Sequence, residues 1–201
     1  MFSLKGKVAF ITGSTKGIGK SIAEEMANLG ARVVISSRKA DACEAVAKEF
    51  AARGQEALAV PCNVGDKAAA QSLVDTVMNK WGRIDSLVCN AASNPHFGPL
   101  TTATDDVFDK IMETNVKSVF WLGNMVLPQM AARGGGSMII ISSIGALRGS
   151  QVLGLYGTSK AAEAGLARAY AVQWGQKNIR VNTVLPGLIK TDFAKALWED
   201  E

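Results

Sequence analysis

Apolar residues fall along this chain in short runs separated by longer amphipathic stretches. Val8–Thr12, Arg32–Ser36, Ala57–Pro61 and Ser86–Cys89 are runs of strand length. They are largely apolar on both sides, as strands are when helices cover both faces of a parallel sheet. Between them, Ser21–Asn28, Asp41–Arg53 and Lys67–Trp81 read as helices. Ile18, Ile22 and Met26 line one side of the first, and Gly54 and Gly82 stop the second and third. The second half repeats the pattern. Thr104 to about Ala132 predicts one long helix carrying Val107, Phe108, Ile111, Met112, Val119, Phe120, Leu122 and Val126. Met138–Ser142 is the fifth strand, Leu155–Trp174 a long Ala-rich helix and Arg180–Val184 the sixth strand. Strand–helix alternation with short connections predicts an α/β protein with a doubly wound parallel sheet flanked by helices. No linker interrupts it, so residues 1–201 are expected to form one domain. The tail, Leu188–Glu201, is too short for another strand–helix unit.

Polar residues at the ends of these strands carry the candidate chemistry. Gly13-Ser14-Thr15-Lys16-Gly17-Ile18-Gly19 follows the first strand and opens the first helix, with spacing GxxxGxG. Glycines there permit a tight turn and let backbone approach a pyrophosphate at a helix N-terminus. A plain strand–helix turn is the alternative, and Ile18-Gly19-Lys20-Ser21 is a near miss to a P-loop. The second strand ends Ser36-Ser37-Arg38-Lys39, beside the position of an adenosine ribose in dinucleotide folds. Ser37 and Arg38 are candidate cofactor residues. No acid is present for ribose hydroxyls, and Arg38 with Lys16 suits a 2′-phosphate, hence NADP(H). The alternative is that Arg38 and Lys39 are ordinary solvated charges. Asn63 and Val64 follow the third strand, where an amide can meet an adenine edge. Asn90-Ala91-Ala92 follows the fourth and suits close passage of a ribose and nicotinamide.

Ser143 ends the fifth strand, and Tyr156 and Lys160 are spaced i, i+4 in the next helix. That spacing sets a phenol and an ammonium on one helix face, where the cation is expected to favour the phenolate and tune the phenol for proton transfer. Asn115 lies within the preceding long helix. Pro186, Gly187, Ile189 and Thr191 follow the sixth strand.

Composition narrows the partners. The 22 basic and 18 acidic residues are interspersed, with no dense Lys/Arg block to favour nucleic acid. Cys43, Cys62 and Cys89 are irregularly spaced beside one histidine, His96, so no metal site and no disulfide scaffold are expected. The first residues run straight into an apolar strand without a secretion signal, and no stretch is long enough to cross a bilayer. A cytoplasmic protein without membrane partners is expected.

Taken together, these motifs resemble the short-chain dehydrogenase/reductase family, and the resemblance covers essentially the whole chain. Thr12–Gly19 matches its TGxxxGxG turn, and Asn90-Ala91-Ala92 matches its NNAG segment imperfectly. Asn115, Ser143, Tyr156 and Lys160 match its catalytic tetrad in order and spacing. Pro186, Gly187, Ile189 and Thr191 match the segment that passes the nicotinamide, and Asn63 stands where the family usually has Asp. The resemblance implies a Rossmann-type fold and NADP(H), with NAD as alternative. It implies hydride transfer to or from a ketone, aldehyde or alcohol. Tyr156 would be the acid/base, Ser143 would polarise the carbonyl, and Lys160 would stabilise the tyrosinate and grip the ribose. Asn115 would hold a relay water. The resemblance extends to carbonyl reductases and 3-oxoacyl-thioester reductases, and implies a homodimer or homotetramer. Against it, the short tail predicts the absence of the usual seventh strand and helical lid. An NAD-dependent alcohol dehydrogenase and a non-catalytic, cofactor-binding scaffold are the alternatives.

Overall fold

The computed structural model describes residues 2–198. Six parallel strands form one sheet: β1 (Val8–Thr12), β2 (Arg32–Ser36), β3 (Ala57–Ala59), β4 (Ser86–Cys89), β5 (Gly136–Ile141) and β6 (Ile179–Val184). Their order is β3-β2-β1-β4-β5-β6. The chain winds outward from β1 to β3, then returns to the other side of β1 and winds outward again. That reversal leaves a crevice beyond the carboxyl ends of β1 and β4, where open α/β sheets bind ligands. The register aligns those ends: Thr12 faces Ser36 across β1 and β2, and Cys89 faces Ile140 across β4 and β5.

The helices are α1 (Gly17–Asn28), α2 (Ala40–Ala52), α3 (Lys67–Trp81), α4 (Asp105–Ile111), α5 (Ser118–Ala132) and α6 (Gly154–Trp174). On one face of the sheet, Phe10, Leu87, Met138 and Ile140 pack with Leu73 of α3 and Leu122 and Leu127 of α5. On the other, Ile11, Val33, Ile35 and Val88 pack with Ala23 and Ala27 of α1 and Phe50 of α2. Alanines let α1 lie close to the strands, as tight helix–sheet packing requires.

Two departures from the pattern reading matter. The single helix expected over Thr104–Ala132 is divided, because Met112–Lys117 between α4 and α5 winds as a π-helix. The extra residue in that turn is hidden from periodicity because Thr114 and Asn115 are both buried there, like the apolar residues around them. The second departure is at β6, where Ile179 and Val181 are buried while Arg180, Asn182 and Val184 are exposed. Beyond α1, no helix among the described residues covers the second face of the sheet over β5 and β6, which forms a groove of about 1190 Å³ walled by Met26, Ile139 and Arg180. Among the described residues no helix is long and apolar enough to cross a membrane.

Candidate active site

The glycine turn is built by interlocking β1 with β4. Gly13 and Gly17 adopt φ of 66° and 55°, which favours glycine. A Cβ on Gly19 would overlap the Gly13 carbonyl oxygen and the Asn90 amide. The Asn90 Nδ2 donates to the carbonyls of Thr12 and Gly13 at 3.0 and 3.2 Å. Thr12 Oγ1 accepts from the backbone N–H of Asn90 and of Ala91, both at 2.9 Å. Thus Asn90, expected at a ribose, spends its side-chain amide on the turn. Ser14 departs from its expected place as well. Fully buried, its hydroxyl donates to Ile11 O at 2.8 Å and accepts from Ser36 N at 2.8 Å, which ties β1 to β2 rather than lining the crevice.

The crevice itself is a cleft bounded by Gly13, Thr15, Gly17, Arg38, Asn63 and Tyr156, with Lys16, Ile18, Ser37, Val64, Ala91, Ala92 and Thr191 also on its walls. Its features fit a dinucleotide. The N-terminus of α1 has no side-chain cap and no acid in its first turn, so its amides are left for an anion. The Ser36 and Thr114 hydroxyls are buried on the cleft wall with no hydrogen-bond partner. Arg38 is exposed at the β2 end, and no acid precedes Asp41 in α2. Lys16, expected near the same phosphate, instead meets Asp192 Oδ2 at 3.3 Å. Both are well exposed, so that pair contributes little and is readily exchanged. Asn63 Oδ1 accepts from Gly65 N at 3.3 Å in a local turn, which leaves its NH₂ free of that turn. Pro186, Gly187 and Ile189 lie outside this cleft, Pro186 and Ile189 lining the bare-face groove instead. The Pro186 carbonyl accepts from Ile144 N at 2.9 Å and so anchors the turn after Ser143.

At the chemical end, Ser143 caps a 3₁₀ turn over Ile144–Ala146, its Oγ accepting from Gly145 N at 3.1 Å. The Tyr156 ring stands at the start of α6, with its centroid 5.5 Å from Lys160 Nζ and 6.1 Å from the Phe193 ring. Phe193 belongs to a 3₁₀ segment, Asp192–Leu197, so the short tail supplies Asp192 and Phe193 to the cleft wall. The Tyr156 phenol differs from its sequence expectation. Burial, and then the Glu163 charge, push it up to about 12 against the lowering effect of the Ser143 hydroxyl. Lys160 spends its ammonium elsewhere. Its ammonium donates to Glu163 Oε1 at 2.8 Å, Glu163 Oε2 at 3.1 Å and Ile141 O at 3.1 Å. Asn115 is also more firmly engaged than expected. Its Oδ1 accepts from Ser93 N at 2.8 Å, and its Nδ2 donates to Ser93 O at 3.0 Å and Ser159 Oγ at 2.9 Å. Its side chain therefore fixes the loop after β4 to the π-turn and α6, with no side-chain donor in reserve for a water.

Glu163, Ser159 and Ser142 are the structural partners that the sequence reading passed over. Glu163 had one signal: an acid three residues beyond Lys160 on an Ala-rich helix. His96 pairs with Thr102 Oγ1 at 2.9 Å in an exposed loop and stands apart from the cluster. Cys43, Cys62 and Cys89 are free and buried.

Comparison with known proteins agrees with this geometry. Residues 7–201 match the family profile described as short chain dehydrogenase. Dehydrogenase/reductase SDR family member 4 of Oryctolagus cuniculus is 46% identical over 198 residues, covering 98% of this chain and 76% of that protein. Its Homo sapiens counterpart is 42% identical over 98% of this chain and 71% of its own length. Among solved structures, a 7α-hydroxysteroid dehydrogenase complexed with NADH and 7-oxo glycochenodeoxycholic acid aligns with a TM-score of 0.93 at 38% identity, covering 97% of this chain and 76% of that one. A gluconate 5-dehydrogenase from Burkholderia cenocepacia J2315 in complex with NADP and tartrate aligns with a TM-score of 0.94 at 31% identity, covering 99% and 78%.

Proposed function

The chain belongs to the short-chain dehydrogenase family, and from that premise we propose that it moves hydride between NADP(H) and a ketone, aldehyde or secondary alcohol. The observation that carries this reading is that Tyr156 and Lys160 line the cleft that runs from the glycine turn, with the Ser143 hydroxyl beside the Tyr156 phenol. The bound nicotinamide would supply or accept the hydride. The uncapped amides of α1 would receive its pyrophosphate, and the free hydroxyls of Ser36 and Thr114 would meet its polar edges. Arg38 would take a 2′-phosphate through its planar donor fork.

In reduction, Tyr156 donates its phenolic proton to the carbonyl oxygen as charge develops there, and Ser143 donates a hydrogen bond to the same oxygen. Asn115 positions the Ser93 loop behind the reacting groups. Exposed Phe97 and Leu100 between β4 and α4 and Leu147 before α6, with Phe193 from the tail, favour an apolar carbonyl substrate. The NADH complex of the 7α-hydroxysteroid dehydrogenase favours a second reading, in which NAD(H) serves the same chemistry.

A panel of ketones and aldehydes assayed with NADPH and with NADH tests the proposal. The expected result is turnover with preference for NADPH, reversed by Arg38→Asp. No turnover across the panel overturns the activity, and an NADH preference that Arg38→Asp leaves unchanged overturns the cofactor assignment.

A further inference from the structure

Two loops meet beside the first turn of α6 and wall the chemical end of the cleft. One runs from Ser93 to Thr104 after β4, the other from Ser143 to Leu153 after β5. Gly98 N donates to Val152 O at 2.9 Å, which joins them. A Cβ on Gly154 would lie 2.9 Å from Leu100 Cγ, so the first loop rests on the start of α6. The second loop presses on the same turn. A Cβ on Gly157, next to Tyr156, would lie 2.9 Å from Gly145 O and 4.0 Å from Arg148 O. Backbone bonds hold Arg148 there from both sides. Before it, Ser143 O accepts from Ala146 N at 2.9 Å and Ile144 O accepts from Leu147 N at 3.0 Å. After it, Ser150 Oγ accepts from Leu153 N at 3.0 Å.

This wall is apolar and almost without charge. Phe97, Leu100, Ile144 and Leu147 are exposed on it, Leu147 by 72%. Exposed apolar side chains gathered beside a reacting group make a surface for a ligand. With His96 neutral, no residue from Ser93 to Thr104 is charged, and from Ser143 to Ser159 Arg148 is the one that is. Its side chain is exposed, and among the described residues no carboxylate pairs with it. Other charges of the cleft mouth are engaged: Lys16 meets Asp192, and Lys190 lies over the Trp198 ring. Asp105 and Asp106, the first acids beyond the wall, stand in the first turn of α4, where they complement the helix N-terminus. Arg148 therefore ends an apolar wall with an unpaired guanidinium, whose planar donor fork matches a carboxylate.

We propose that Arg148 is a substrate-binding residue and that the substrate is an amphipathic anion: a ketone, or the matching secondary alcohol, on an apolar body that ends in a carboxylate. As a statement about substrate, this rests on the hydride-transfer reading. The apolar body lies along Leu100 and Leu147, the carbonyl reaches Tyr156 and Ser143, and the carboxylate meets Arg148. The carboxylate takes no part in the hydride step, so Arg148 acts through binding and its effect falls on KM. An ion pair at an exposed site is worth about fivefold in affinity at most, and salt screens it.

A homologous series of aryl oxo acids with a lengthening methylene chain, each assayed beside its methyl ester, tests this. Wild type is expected to favour the best acid over its ester about fivefold in kcat/KM, through KM. That preference should shrink as salt is added. Arg148→Gln should abolish it, Arg148→Lys should keep part of it, and Arg148→Glu should reverse it. Because Arg148 is exposed, these variants are expected to fold, and thermal melts check that. The same acid preference in wild type and Arg148→Gln overturns the proposal, as does a wild type that prefers no acid at any chain length. Calorimetric titration of the same acids and esters separates the site from the activity. Tighter binding of acid by wild type than by Arg148→Gln, with no ketone turned over, refutes the hydride-transfer reading and leaves the carboxylate site standing. Equal binding of acid by the two overturns the site itself.

Discussion

Asn115→Ala removes the side chain that ties three elements together. Asn115 is fully buried and makes three hydrogen bonds, to the N–H and carbonyl of Ser93 and to the hydroxyl of Ser159. Each such bond contributes about 1 kcal/mol net, and a partner left unpaired inside the protein costs about 1–3 kcal/mol. Ser159 already donates its hydroxyl proton to Tyr156 O at 2.7 Å, so its oxygen loses a donor with no compensating bond. The expected loss is about 3 kcal/mol, or a fall in Tm of about 6–12 °C for a chain of this size. Urea unfolding followed by far-ultraviolet circular dichroism, with thermal melts beside it, measures it. The Ser93 loop should also become more exposed to amide exchange, because its N–H loses its acceptor. A change below about 1 kcal/mol, with Ser93 exchange unaltered, would refute the assignment of Asn115 as the tie between the loop, the π-turn and α6.

Gly19→Ala is expected to disrupt the glycine turn, since the new methyl overlaps the Gly13 carbonyl and the Asn90 amide. Overpacking of this kind costs about 1–3 kcal/mol, and NADPH fluorescence titration should show weakened binding alongside the lower Tm. Stability should also carry a pH signature from Glu163. Its folded-state value, about 7, lies above the ordinary 4.5, so the folded protein binds more protons than the unfolded chain between those values. Its contribution is therefore most favourable at low pH and declines as pH rises through that window. The stability of wild type minus that of Glu163→Gln should fall across pH 4.5 to about 7, and a difference flat across it would count against a strongly buried carboxyl.

Much of the fold was legible because its strands are short apolar runs punctuated by glycine. The bounds of β1, β2, β4 and α3 follow from the pattern alone. α1 starts earlier than periodicity suggested because its first turn is the second half of the glycine motif, Gly17-Ile18-Gly19. β3 ends before Pro61, which has no N–H to extend a ladder. The π-turn was illegible because one extra residue in a helix leaves an apolar stripe intact when the inserted turn is itself buried. At the site, Tyr156, Lys160, Ser143 and the glycine turn could be placed from strand ends and i, i+4 spacing. What spacing could not give is the direction in which each polar group spends its hydrogen bonds. Asn90 and Ser14 turn theirs inward to join strands, Asn115 to hold a loop, and Lys160 to pair with Glu163.

In the proposed reduction the Tyr156 phenol is the proton donor to the carbonyl. Tyr156→Phe removes that oxygen and keeps the ring that packs beside Phe193 and Lys160. Single-turnover reduction by this variant, with NADPH affinity measured on the same preparation, tests the claim most directly. Loss of at least about a hundredfold in rate, with cofactor affinity and Tm near those of wild type, is the predicted result. Near-normal turnover by Tyr156→Phe would contradict it.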